Sequence, residues 1–138
     1  MLLSIHGLIR GHDLELGRDA DTGGQTKYVV ELAQALGVRP DVARIDLVTR
    51  RVVDPHVSAD YARPFESLDG CAQIVRIECG EEAYLPKETL WDCLDNFIDH
   101  TLDFIHRDDA LPHVIHAHYA DAGLVGVRLA GQLGIPLV

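Results

Sequence analysis

Two glycines and a glutamine stand where a loop gives way to a predicted helix. Gly23, Gly24 and Gln25 follow a segment rich in glycine and charge. The N–H groups and dipole at a helix start attract anions, and adjacent glycines let a ligand approach the backbone. A glutamine amide both donates and accepts hydrogen bonds, which suits a sugar hydroxyl. The pattern favours a phosphate or sugar site, and a turn with a helix cap explains it equally well. The spacing fits neither a dinucleotide fingerprint nor a P-loop.

A second cluster lies at the end of a predicted strand. His116 and His118 are two residues apart and face the same side, whereas His113 faces the other side. The three histidines with Asp121 nearby allow a zinc site as one interpretation. The split between two faces favours histidines held by hydrogen bonds, so we expect no metal. Tyr119 and Asp121 are expected to reach a cleft at this strand end, and a helix cap is the alternative role for Asp121.

A lysine opens the longest predicted helix. Lys87 follows Tyr84-Leu85-Pro86 and precedes Glu88. A cation is unfavourable at a helix start, because the dipole there is positive. An anionic ligand would explain Lys87, but spacing alone favours a solvated side chain.

Apolar periodicity predicts strands that alternate with helices. The acidic side chains of residues 88–109 fill the polar face of one amphipathic helix, so they indicate a solvated face rather than a metal site. Strands alternating with helices imply an α/β fold with a Rossmann-like, doubly wound and mainly parallel sheet. The predicted strands are 2–5, 45–48, 72–77, 114–116 and 135–138; the helices are 25–36, 87–107 and 124–133; the loops include 7–24, 51–70 and 118–123.

Composition excludes several classes of function. The formal net charge is −10, from 22 acidic and 12 basic residues, which argues against nucleic-acid binding. No apolar stretch approaches the roughly 20 residues that cross a bilayer, so no membrane partner is expected. The three cysteines form no CxxC pair, which predicts reduced thiols and a cytoplasmic location.

Four blocks of sequence resemble the sucrose-phosphate synthases. They occur in the order found in that family, and the resemblance covers essentially the whole chain. It implies a GT-B fold, in which two Rossmann-like domains face a cleft. The blocks are His6–Gly11, Leu14–Ala33, Tyr84–Glu88 and His116–Gly123.

The resemblance also implies substrates and roles. In that family the N-terminal domain binds fructose 6-phosphate and the C-terminal domain binds UDP-glucose. Glucose is transferred with retention, giving sucrose 6-phosphate and UDP, with no cofactor and no essential metal. At matching positions, Gly23, Gly24 and Gln25 would line the cleft. Lys87 would hold the acceptor phosphate. Tyr119 and a catalytic Asp121 would flank the reacting sugars.

Residues 1–138 are therefore expected to form the N-terminal part of a GT-B glycosyltransferase, without the C-terminal donor-binding domain. Sugar transfer by this chain alone is not expected. A non-catalytic sugar-phosphate-binding fragment and a sucrose synthase-like GT-B protein are the alternatives. An uncovered edge at the last strand predicts a homo-oligomer.

Overall fold

The computed structural model describes residues 1–138 as a five-stranded sheet with helices on both faces. The strand order is β3-β4-β2-β1-β5; β3 pairs antiparallel with β4, and the other pairs are parallel. The predicted α/β fold class is confirmed. The strands are β1 (Leu2–Leu3), β2 (Ile45–Arg50), β3 (Phe65–Ser67), β4 (Ala72–Ile77) and β5 (His116–Ala117), and the α-helices are α1 (Gly24–Gly37), α2 (Leu94–Arg107) and α3 (Tyr119–Leu133).

The two faces of the sheet bury different residues of the same strands. Leu47 of β2 and Ile74 of β4 pack into the core beneath α1. Their chain neighbours Val48 and Val75 pack into the larger core beneath α2 and α3. This division follows from the two-residue period of a strand, and it fixes the sheet between two helical layers.

The carboxyl ends of the parallel strands meet at one edge of the sheet. β1 lies between β2 and β5, with Leu3 opposite Val48 on one side and Ala117 on the other. The loops that leave β1 and β5 therefore emerge side by side. In sheets of this kind, ligands bind in the crevice outside these strand ends.

Three sequence predictions need correction. Residues 118–123 are not a loop, because α3 already begins at Tyr119. Residues 51–70 contain a short 3₁₀ helix (Ala59–Ala62) and strand β3, both of which were missed. The predicted helix 87–107 is a 3₁₀ helix (Lys87–Cys93) followed by α2.

Close contacts surround Gly126 in the middle of α3. A Cβ at Gly126 would lie 2.8 Å from Leu137 Cδ1 and 3.2 Å from Ala117 Cβ. Gly126 thus lets α3 pack closely on the sheet, although glycine weakens a helix in isolation. The predicted last strand is present as a parallel bridge between Ile115 and Leu137.

No helix of the chain combines the length and the apolar character that a bilayer span would need.

Candidate active site at the carboxyl edge of the sheet

A pocket of about 160 Å³ opens where β1 and β5 end. His6 comes from the loop after β1, and Tyr119 and Asp121 come from the first turn of α3. Lys87 and Trp91 come from the 3₁₀ helix Lys87–Cys93. The structure therefore brings together three of the residues predicted from the sequence, from segments more than 30 positions apart.

A buried histidine and aspartate form the floor of the pocket. His6 and Asp121 are 4% and 3% exposed, and His6 Nδ1 lies 2.9 Å from Asp121 Oδ2. Burial works against protonation of His6, but the hydrogen bond and charge of Asp121 outweigh it, with help from Asp21 and Gln25. The pKa of His6 is therefore raised.

One carboxylate oxygen of Asp121 forms no hydrogen bond within the protein. Its Oδ1 is buried and has no hydrogen-bond partner in the protein, whereas buried polar atoms are normally paired. No side chain caps α3, whose N-cap residue is His118, so the cap role considered for Asp121 is wrong. The Oδ1 oxygen is an acceptor that the protein leaves unused, and it is shielded from solvent.

Tyr119 forms one wall of the pocket in an unusual conformation. Its φ is +82°, a region that non-glycine residues rarely occupy. Its ring packs edge-on against His6, with ring centroids 4.7 Å apart, and it remains 60% exposed. Strained residues of this kind cluster at functional sites, and the conformation presents the ring to solvent beside the pocket.

Lys87 has a partner that the sequence did not suggest. Its Nζ lies 3.1 Å from Asp21 Oδ1, and its backbone N–H donates to Asp21 Oδ2 at 2.9 Å. Although burial opposes ionisation of Asp21, these contacts hold its pKa below the usual range, and the same ion pair raises the pKa of Lys87. Asp21 thus explains the cation at this helix start, and Lys87 remains one-third exposed.

The glycine pair lies beside the pocket rather than in its wall. Gly23 is the N-cap residue of α1 and Gly24 its first residue, and no side chain caps this helix. A Cβ on either glycine would meet no atom within 4 Å. Gln25 donates from Nε2 to Ser4 Oγ at 2.9 Å, which holds it near His6. Packing within the chain therefore does not require glycine at either position.

The histidines in and around β5 do not assemble a metal site. The rings of His116 and His118 lie 4.2 Å apart, whereas His113 is exposed. No group of three or more His, Cys, Asp or Glu side chains is arranged to hold a metal ion. Burial and the neighbouring His116 lower the pKa of His118, which favours its neutral form.

A larger cavity, of about 270 Å³, lies elsewhere. It separates α2 from the β3–β4 edge and is lined by Phe104 and by the ion pair of Arg51 with Glu78. None of the predicted site residues contributes to it. We assign the site to the smaller pocket because strand ends, a free carboxylate oxygen and a strained aromatic residue converge there.

Fold and pocket together define a class of protein. A doubly wound, mainly parallel sheet with a pocket at its strand ends is a Rossmann-like arrangement, and it is the arrangement of the GT-B glycosyltransferase structure that the chain matches. Among solved structures, the chain matches sucrose-phosphate synthase from Thermosynechococcus elongatus with a TM-score of 0.75 and 26% identity, over 95% of this chain and 29% of that one. A second, twinned structure of that enzyme matches with a TM-score of 0.69 over 99% of this chain and 59% of that one; at 21% identity it supports the fold alone.

Sequence comparison narrows the class. No protein-family model matches the chain. Over its whole length it is 46% identical to sucrose-phosphate synthase of Zea mays and 45% identical to sucrose-phosphate synthase 4 of Arabidopsis thaliana. The chain spans about 15% of the length of these relatives. It is thus a homologue of the sucrose-phosphate synthases, and the resemblance predicted from the sequence is confirmed.

Proposed function

We propose that this chain forms the acceptor-binding part of a glucosyltransferase similar to sucrose-phosphate synthase, and that its pocket binds fructose 6-phosphate. One observation carries the proposal. Lys87, Tyr119 and Asp121 line a single pocket in a chain 46% identical to a sucrose-phosphate synthase.

Lys87 is suited to the acceptor phosphate. An ammonium group has three donors, and Asp21 is the only carboxylate within 3.5 Å of Nζ. The other donors can reach a phosphate in the pocket, since Lys87 is one-third exposed. Charge-assisted hydrogen bonds of this kind are the strong ones. Asp21 holds the ammonium in place before the ligand arrives, which lowers the entropy lost on binding.

Asp121 is suited to the sugar. Oδ1 of Asp121 is buried without a partner; a sugar hydroxyl that displaces the atoms covering it and donates to it would satisfy this oxygen. His6 fixes the other oxygen at 2.9 Å, so the carboxylate cannot turn away. Asp121 would thus hold the hydroxyl that receives glucose, which is the catalytic role proposed for it. The ring of Tyr119 would cover one face of the sugar.

The open glycine pair is suited to donor or acceptor oxygens. Gly23 and Gly24 have free space where a side chain would stand, and a ligand close to the start of α1 would benefit from its N–H groups and dipole. Gln25, one residue further on, would bind a hydroxyl or phosphate oxygen. In the complete enzyme, we propose that the phosphates of UDP-glucose approach this helix start.

The size of the pocket supports binding without transfer. At about 160 Å³ it is smaller than the roughly 300–1,000 Å³ of ordinary ligand pockets. We propose that it is one wall of a cleft, and that a donor-binding domain supplies the other wall. Residues 1–138 alone are then expected to bind the acceptor and to transfer no sugar.

Calorimetric titration tests the proposal with three ligands. Fructose 6-phosphate is expected to bind, whereas UDP-glucose is not; fructose is expected to bind at least about tenfold more weakly because it lacks the phosphate. Tighter binding of fructose would favour the sucrose synthase-like alternative. No heat with fructose 6-phosphate at millimolar concentration would refute the proposal.

A matched pair of variants assigns the phosphate contact. Lys87→Met removes the ammonium in the pocket. Lys27→Met removes one on the surface of α1, where Lys27 pairs only with Glu31 at 3.7 Å. We expect Lys87→Met to weaken binding of fructose 6-phosphate about tenfold or more and Lys27→Met to leave it unchanged. Equal effects of the two variants would show that net charge, rather than a contact, attracts the ligand.

A further inference from the structure

Two cysteines meet beside the segment that carries Lys87. Cys79 follows β4 and is 2% exposed, and Cys93 is the last residue of the 3₁₀ helix Lys87–Cys93. Cys79 Sγ lies 3.1 Å from the carbonyl oxygen of Cys93. Both thiols are free. The third cysteine, Cys71, lies apart from them, with its Sγ 3.4 Å from the carbonyl oxygen of Val42.

The residue after Cys79 lies against the side chain of Cys93. A Cβ at Gly80 would lie 3.0 Å from Cys93 Cβ and 3.2 Å from Cys93 Sγ, and Gly80 has a φ of +65°. Cys93 thus lies against Gly80 on one side and Cys79 Sγ on the other. A disulfide requires the Cβ atoms of Cys79 and Cys93 to stand about 3.5–4.5 Å apart.

A buried cation accompanies the thiol pair. Arg50 is 4% exposed, and its Nε donates to the carbonyl oxygen of Cys79 at 3.0 Å. Its Nη2 donates to the carbonyl oxygen of Ala83 at 2.8 Å, so Arg50 also holds the start of the segment in place. Guanidinium groups favour the thiolate form, which is the nucleophile in disulfide exchange.

We propose that Cys79 and Cys93 form a reversible disulfide by exchange with a low-molecular-weight disulfide such as glutathione disulfide, and that this bond ties down the segment Cys79–Cys93. That segment carries Lys87 and Trp91, which line the pocket, and Tyr84, whose hydroxyl donates to Asp21 Oδ2 at 3.4 Å. The proposal needs no sugar ligand. Only its consequence for acceptor binding rests on the proposed function.

The chemistry proceeds in two exchange steps. The partly exposed Cys93 attacks as a thiolate, a Cys93–glutathione disulfide forms, and one glutathione thiolate leaves. Cys79 then attacks Cys93 Sγ, the second glutathione leaves, and the two cysteine protons end on the two glutathiones. Two protein thiols are oxidised and one glutathione disulfide is reduced. Burial and the adjacent Cys93 raise the pKa of Cys79, which slows the second step without changing the final equilibrium.

Peptide mapping tests the bond. The 138-residue chain is equilibrated in glutathione buffers of increasing oxidised fraction, alkylated, and mapped without reduction. We expect a peptide pair linked through Cys79 and Cys93 that disappears on reduction. The same linkage is expected in Cys71→Ser. In Cys93→Ser, Cys79 is expected to be alkylated or joined to glutathione instead. Alkylation of both Cys79 and Cys93 in fully oxidised buffer would overturn the proposal, as would a linkage found only with Cys71.

Trypsin cleavage after Lys87 tests whether the bond restrains the segment. Cleavage within a folded protein requires local opening, which a cross-link at both ends of the segment suppresses. We expect cleavage of the oxidised chain to be roughly tenfold slower than that of the reduced chain, with no such difference in Cys93→Ser. Equal rates in a chain whose linkage has been mapped would refute the restraint.

Discussion

Replacement of Asp121 by asparagine is expected to destabilise the protein in a pH-dependent way. Asparagine keeps the size of the side chain and one oxygen that can accept from His6 Nδ1, but it removes the negative charge. Because both residues are at least 96% buried, solvent screens the pair only weakly. The substitution therefore isolates the charge that Asp121 contributes to His6.

The magnitude depends on the state of His6. A hydrogen bond to a charged group contributes about 1.5–3 kcal/mol; the carboxylate supplies that charge at both pH values, and a protonated His6 adds the attraction of an ion pair. The pKa of His6 is raised in the folded protein, so its stabilisation is fully present below the unfolded pKa near 6.5 and is lost as pH rises through the folded pKa. We expect Asp121→Asn to lower the free energy of unfolding by about 3 kcal/mol at pH 5.5 and by about 1.5 kcal/mol at pH 9.

Urea unfolding followed by circular dichroism at the two pH values measures the difference. The lowered pKa of His118 acts in the opposite direction, but it is common to both proteins and cancels. Asp99→Asn on the exposed face of α2 removes the same charge and serves as the control. If Asp121→Asn lowers the free energy of unfolding equally at both pH values, or more at pH 9, no charged pair forms between His6 and Asp121.

Three further substitutions test the fold and the support of the pocket. In the same assay, Gly70→Ala is expected to lower the free energy of unfolding by about 3 kcal/mol. Gly70 has a φ of +63°, and a Cβ there would lie 2.0 Å from the carbonyl oxygen of Gly37. A decrease below about 1 kcal/mol would mean that the turn shifts freely. Gly131→Ala is expected to raise the free energy of unfolding by about 0.5–1 kcal/mol, because Gly131 lies in α3 and a Cβ there meets no atom within 4 Å. A decrease would contradict a helical conformation at Gly131. Tyr84→Phe removes the hydroxyl that donates to Asp19 Oδ1 at 3.0 Å and is expected to cost about 1 kcal/mol, whereas an unchanged midpoint would show that Asp19 finds another donor.

Regular periodicity made part of the fold predictable. β4 occupies the predicted residues 72–77, and α1 extends the predicted helix 25–36 by one residue at each end. Strand β3 could not be found in this way, because its three residues follow a proline and show no alternation. The predicted loop 118–123 ends at Gly123, whereas α3 begins at Tyr119, whose positive φ is not visible in the sequence.

The site was predictable only where side chains follow strand ends. Tyr119 and Asp121 come directly after β5, so the topology of a parallel sheet brings them to the carboxyl edge. Asp21 and His6 were missed, because their partners Lys87 and Asp121 lie 66 and 115 positions away in the chain. A period within one element carries no information about contacts over such distances.

The fluorescence of the single tryptophan tests the acceptor site most directly. Trp91 is the only tryptophan of the chain and lines the pocket with Lys87, Tyr119 and Asp121. Titration with fructose 6-phosphate is expected to change its emission along a saturable curve in the wild-type chain and in Lys27→Met, and to leave it unchanged over the same range in Lys87→Met. An identical response of Lys87→Met, or no response of the wild-type chain, would contradict a fructose 6-phosphate site in this pocket.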